Sequence, residues 1–151
     1  MSFVTKDMYF TIAIFPHKKC EIYGDLHSPV LKKSVQFHDL TELVLIMDKI
    51  MQDFNVPKYD KKNRSFVSDY KSVNIPLEYQ DLNLDNFQRY LDESLKFPME
   101  SQNIFTVKVM YRQRCTWQGQ IVWVEEDKVR FFRSALELIA LIYSTYNEDY
   151  Q

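Results

Sequence analysis

The chain has 151 residues, a formal charge of −2, and 46 % apolar, 26 % charged and 15 % aromatic residues. That length closes one hydrophobic core, and charges of both signs are interspersed along it, without the basic excess that marks a nucleic-acid binder. No stretch approaches the ~20 apolar residues of a membrane-spanning helix, the first residues lack the basic start and apolar run of a signal peptide, and two cysteines without CxxC spacing are expected to be reduced thiols of a cytoplasmic protein.

Residues 1–8 read as a short lead-in. In 9–15, Phe10, Ile12 and Ile14 alternate with Thr11 and Ala13, the period of a strand. After a turn at Pro16, Cys20, Ile22, Gly24 and Leu26 share one parity of a second strand that ends near Ser28 and Pro29. A third strand, 34–38, puts Val35 and Phe37 on one side. Asp39 and Glu42 then stand at capping-box spacing. Leu43, Val44, Ile46, Met47, Ile50, Met51 and Phe54 follow at the intervals of an amphipathic helix that stops before Pro57.

Residues 58–72 are polar and aperiodic, and an exposed loop is expected there. Residues 73–79 suggest a strand-like piece broken by Pro76. Leu84, Phe87, Leu91 and Leu95 fall on one face of a connecting helix, started by Asp81 or Asn83 and ended before Pro98.

From 105 onward, Phe105, Val107, Val109 and Tyr111 face one way and Thr106, Lys108 and Arg112 the other. Cys115, Trp117, Gly119, Ile121 and Trp123 share one side of the next strand, with Thr116, Gln118 and Gln120 opposite. Residues 125–128 form a hairpin tip. In the strand 129–133, Phe132 belongs to the core, so Phe131 either faces away or sits at a bulge. Ser134 and Glu137 repeat the capping box, and Leu138, Ile139, Ile142 and Tyr146 form the stripe of a last helix.

This last stretch says the first again. Moved back 95 positions without a gap, Phe105 falls on Phe10, Cys115 on Cys20, Gly119 on Gly24, Phe132 on Phe37 and Glu137 on Glu42, so both cysteines and both glycines of the chain coincide. The expected fold is α+β: a single domain, 1–151, of two β-β-β-α units (9–54 and 105–149) joined by a 55–104 linker that carries the loop and the connecting helix. A pseudo-twofold axis would relate the units, each helix lying on the apolar face of an antiparallel sheet. One continuous sheet is preferred over two facing ones.

The run Tyr111-Arg112-Gln113, Thr116-Trp117-Gln118-Gly119, Trp123 and Glu125, then 132–138 as Phe-Arg-Ser-Ala-Leu-Glu-Leu resembles a segment recurring in small uncharacterised proteins of clostridia and related gut bacteria. The likeness covers about the last 40 residues and the first unit only weakly. It implies a compact β-β-β-α module and no activity. A phage or mobile-element origin, and with it a role as an inhibitor or adaptor such as an anti-defence or anti-CRISPR protein, is compatible with it.

Candidate chemistry is sparse. His17, His27 and His38 lie in the first unit near Cys20 and Asp39, but no pair has the short spacing of a zinc site, and no metal or cofactor is expected. Cys20 and Cys115 are expected to be small buried residues beneath the helices rather than nucleophiles. Trp117, aligned with Ile22, is expected in the core. Trp123 aligns with Ser28, and its exposure would make it a contact hot spot. The remaining polar set is Lys108, Arg112, Arg114, Arg130 and Arg133 with Gln118 and Gln120, several of them expected on the sheet face away from the helix. Arginine and aromatic groups on such a face can hold phosphate and stack bases, although a salt-bridged solvated face is the commoner outcome.

No glycine-rich phosphate loop, nucleophile elbow or HExxH motif is present, so an enzyme is not expected. The reading is a non-catalytic protein-binding module, a regulator or inhibitor of a larger partner, using Lys108, Arg112, Arg114, Gln118, Gln120, Trp123, Arg130 and Arg133. Its alternative is a nucleic-acid-binding protein using the same surface, and a homodimer is left open.

Overall fold

Four phenylalanines, Phe10, Phe37, Phe105 and Phe132, are buried on one face of a single six-stranded antiparallel sheet. The computed structural model describes residues 5–15, 22–59, 64–68, 73, 75–94 and 103–147. The strands are β1 (Met8–Ile14), β2 (Gly24–His27), β3 (Val35–Phe37), β4 (Asn103–Tyr111), β5 (Gln118–Trp123) and β6 (Lys128–Phe132), and the helices are α1 (Leu40–Phe54), α2 (Leu84–Glu93) and α3 (Ala135–Asn147). Strand order across the sheet is β3-β2-β1-β4-β5-β6. The chain thus runs as one meander outward from β1 and another outward from β4.

Period-two alternation decides the two faces. Phe10 lies opposite Val107 and Ile12 opposite Phe105, and these four belong to one apolar cluster with Leu43, Ile46, Met47 and Ile50 of α1 and Leu138 and Ile142 of α3. Both helices therefore share a face, as the two stripes imply. At the middle of the sheet Thr11 lies directly opposite Thr106. Burying a phenylalanine ring of this core is worth about 2–3 kcal/mol.

Both helix starts are capped as their spacing predicts. The Glu42 backbone N–H donates to the Asp39 carboxylate at 2.7 Å, and that of Glu137 to the Ser134 hydroxyl at 3.0 Å. The glutamates reach back one residue further than a standard capping box, accepting the backbone N–H of His38 at 3.1 Å and of Arg133 at 3.0 Å. Each such cap is worth about 1 kcal/mol.

Helix α2, capped by Asn83, covers the opposite face of β1 and β2. Tyr90 Oη and Thr11 Oγ1 are 2.7 Å apart, Phe87 meets Tyr9 edge-on at 5.0 Å, and Glu93 stands 3.7 Å from His27 Nε2. Its buried residue is Tyr90; of the expected stripe Phe87 packs, Leu84 and Leu91 are exposed, and Leu95 lies outside the described residues. The buried partner is polar, Thr11, and selects the tyrosine. Upstream, the 75–82 segment runs beside Val30 and Leu31, held by Gln80 N–H to the Val30 carbonyl (2.8 Å) and a bridge between Leu31 and Tyr79.

Several expectations need correction. Residues 113–115 form a tight 3-10 turn with Arg114 and Cys115 in the left-handed region (φ 57° and 61°), so β5 starts at Gln118 and Cys115 is exposed rather than buried. The turn is clamped from outside: the Cys115 N–H donates to Tyr59 Oη at 3.1 Å, and the Gln118 amide bonds both the N–H and the carbonyl of Gln113. An irregularity between Val109 and Tyr111 breaks the alternation of β4. Tyr111 is consequently exposed and Arg112 buried, the reverse of the strict pattern. Phe131 faces away from Phe132, because β6 pairs with β5 without a bulge. Cys20 and His17 lie outside the described residues.

Candidate functional site

The sequence-derived set does not converge on one surface. Arg112 is 6 % exposed, and its guanidinium donates to the Pro57 carbonyl and the Asn55 side chain, both at 2.7 Å. Burial lowers its pKa, partly offset by Asp48 and Tyr59. It docks the end of α1 onto β4. Gln118 is spent on Gln113 and on the Arg133 carbonyl. Arg133 forks onto Glu137 at 2.8 Å; this hydrogen-bonded pairing raises the arginine pKa and lowers that of Glu137. Arg114 is exposed on the 113–115 turn.

Trp123 and Arg130 stand on the helix-bearing face instead. Arg130 lies opposite Ile121, and Lys128 opposite Trp123. Trp123 is partly buried, its indole N–H donating to Asn103 at 3.1 Å, its ring stacked on Phe105 and Lys128 Nζ 5.7 Å above it. Trp117 is buried at 5 % exposure, as expected.

Lys108 and Gln120 do share the other face. They line a groove of about 260 Å³ between α2 and strands β4 and β5, with Thr106 and Val122 in its floor and Tyr90, Leu91 and Ser94 on its wall. Beyond the floor, β6 carries Phe131 (68 % exposed) and Val129 (41 %) on the same face. Among the described residues strand β6 ends the sheet, and one row of its backbone N–H and C=O groups has no strand neighbour among them. The adjacent phenylalanines were the signal for this surface, since only one of two neighbouring strand residues can enter the core. Lys128 opens β6 rather than closing the hairpin tip expected over 125–128.

Among the described residues no group of three or more His, Cys, Asp or Glu side chains could hold a metal ion. No helix among them is long and apolar enough to cross a membrane. No family model matches the chain, and neither a curated protein nor a solved structure matches it.

Proposed function

We propose that the protein is a non-catalytic protein-binding module, a regulator or inhibitor of a larger partner, that receives this partner along β6 and the adjoining groove. The observation that carries the reading is Phe131: a large ring exposed on the flat face of a sheet-end strand, beside exposed Val129. A strand edge next to an apolar face is the template used in strand addition, where main-chain bonds give affinity and alternate side chains give selectivity. The opposite edge, β3, has only three residues and is a poorer template.

A nucleic-acid reading ranks second, because it needs its cations together. Arg112 is committed to the α1 turn, Arg133 to Glu137, and Arg130 is on the other face from Lys108.

We also read the chain as a duplicated β-β-β-α unit. Matching registers support this: Gly24 lies opposite Ile14 and Phe37, and Gly119 opposite Val109 and Phe132, all offset by 95 positions.

The test is capture from a lysate of the source cell, with and without nuclease, using Phe131→Glu beside wild type and Leu136→Glu, on the exposed side of α3, as the control. A partner retained by wild type and by the control, but lost with Phe131→Glu, supports the proposal. Identical capture by all three, or capture that nuclease removes, overturns it.

A further inference from the structure

The helix-bearing face carries a second cleft that the protein-binding proposal does not use. It measures about 200 Å³ and lies between the second half of α3, at Leu141, Ser144 and Thr145, and strands β5 and β6. Its floor is Phe105 and Trp123, and the indole is fixed in place by Asn103 on its N–H and by the stacked Phe105 ring. A preformed apolar floor binds without the cost of ordering its own side chains. For scale, an apolar cavity of ~150 Å³ holds a benzene molecule. The space therefore fits one ring-sized group.

Two cations, Lys128 and Arg130, line the same cleft from alternate positions of β6. Among the described residues neither has a carboxylate within 4.0 Å, while the five ion pairs present all lie elsewhere. The Arg130 guanidinium donates to the carbonyl of its neighbour Val129, which occupies one of its five N–H groups. Forked N–H pairs recognise a carboxylate in its plane. Two cations above an aromatic floor suit a singly charged planar anion, whose plane a guanidinium fork matches.

From this we infer that the cleft formed by Trp123, Phe105 and Leu141 beneath Lys128 and Arg130 is a binding site for a small aromatic carboxylate. The ring lies against Trp123 and Leu141, and the carboxylate meets Arg130 and Lys128. No chemistry is done on the ligand.

The experiment is an NMR titration of the intact chain with sodium benzoate, benzamide and inorganic phosphate, reading the two indole N–H signals. Benzoate shifts the Trp123 signal saturably and leaves that of buried Trp117 in place; benzamide binds at least about fivefold more weakly, the scale of two exposed ion pairs, and phosphate does nothing. The double variant Lys128→Gln/Arg130→Gln weakens benzoate by a similar factor without changing benzamide. Leu141→Trp, which fills the cleft, abolishes both responses while the Trp117 signal reports that the fold persists. A Trp123 signal unmoved by benzoate, equal binding of benzamide or phosphate, or benzoate affinity unchanged in the double variant overturns the inference.

Discussion

Gly119 and Phe132 face each other across β5 and β6, and a methyl group on the glycine would stand 2.8 Å from the Phe132 ring while running into the Lys108 carbonyl oxygen of β4. Gly24 is placed likewise, opposite Phe37, with the Ala13 carbonyl of β1 where its methyl would go. Backbone cannot yield as a flexible side chain can. Both glycines have negative φ, so the constraint is space and not conformation.

Gly119→Ala should therefore destabilise the protein by about 3 kcal/mol, the upper range for overpacking. Gln36→Ala, on the exposed side of β3, should cost under about 0.5 kcal/mol. Urea unfolding measures both. A glycine substitution as mild as the surface one would mean that β4 and β5 can separate without loss.

Arg112 is expected to matter for stability rather than for binding. Arg112→Met leaves the Pro57 carbonyl and the Asn55 side chain without their donor, a loss of roughly 2–3 kcal/mol for charge-assisted bonds. Arg112→Lys should recover little, since one ammonium cannot reproduce the fork that spans both acceptors. Denaturation midpoints give the order wild type, Lys, Met. A full rescue by lysine would show that charge alone is needed.

Tyr90 anchors α2 through its hydroxyl to Thr11, in a site whose burial raises the phenol pKa above the ordinary range. Tyr90→Phe should cost about 1 kcal/mol, one hydrogen bond with its partner left buried. Hydrogen exchange should quicken in α2 and stay unchanged in α3. Uniform quickening would contradict the anchoring role.

His27 supplies a pH dependence. Burial holds its pKa below 6.5, and the attraction of Glu93 only partly offsets this. Thr11 and Tyr90 also pack around it, and Nδ1 has no hydrogen-bond partner among the described residues. Because the folded pKa is the lower one, the unfolded chain takes up the proton first. Stability is then full above the unfolded value of about 6.5 and falls as pH drops towards the folded one. Asp25, whose pKa burial raises, works in the opposite sense at more acid pH, binding its proton more tightly when folded. The unfolding temperature should hold from neutral pH upward and decline below it, and His27→Gln should flatten that decline. An unchanged slope in the variant would assign the effect to other groups.

The sheet was legible wherever a local pattern carried it. Alternation gave the strands containing Phe10, Phe105 and Ile121, and the Asp39 and Ser134 caps marked where α1 and α3 begin. What depended on distant residues was not legible. Nothing near Cys115 announces that Tyr59 would draw its N–H outward, and a left-handed turn on two non-glycine residues contradicts local preference. Arg112 looked like a surface cation because the β4 irregularity that turns it inward has no glycine or proline to mark it. Lys108, Gln120, Trp123 and Arg130 lie on strands, as the alternation implies. Their division between two faces follows from alternation along β4 and β5 and from the register that sets Arg130 opposite Ile121.

The most direct measurement of the central claim is amide hydrogen exchange of the chain with and without the partner retained in the capture experiment. Binding through the sheet end predicts slowed exchange at the outward amides of β6, with Val129 and Phe131 in the protected segment and β3 unchanged. Protection confined to β3 or α2, or none in β6, would contradict it.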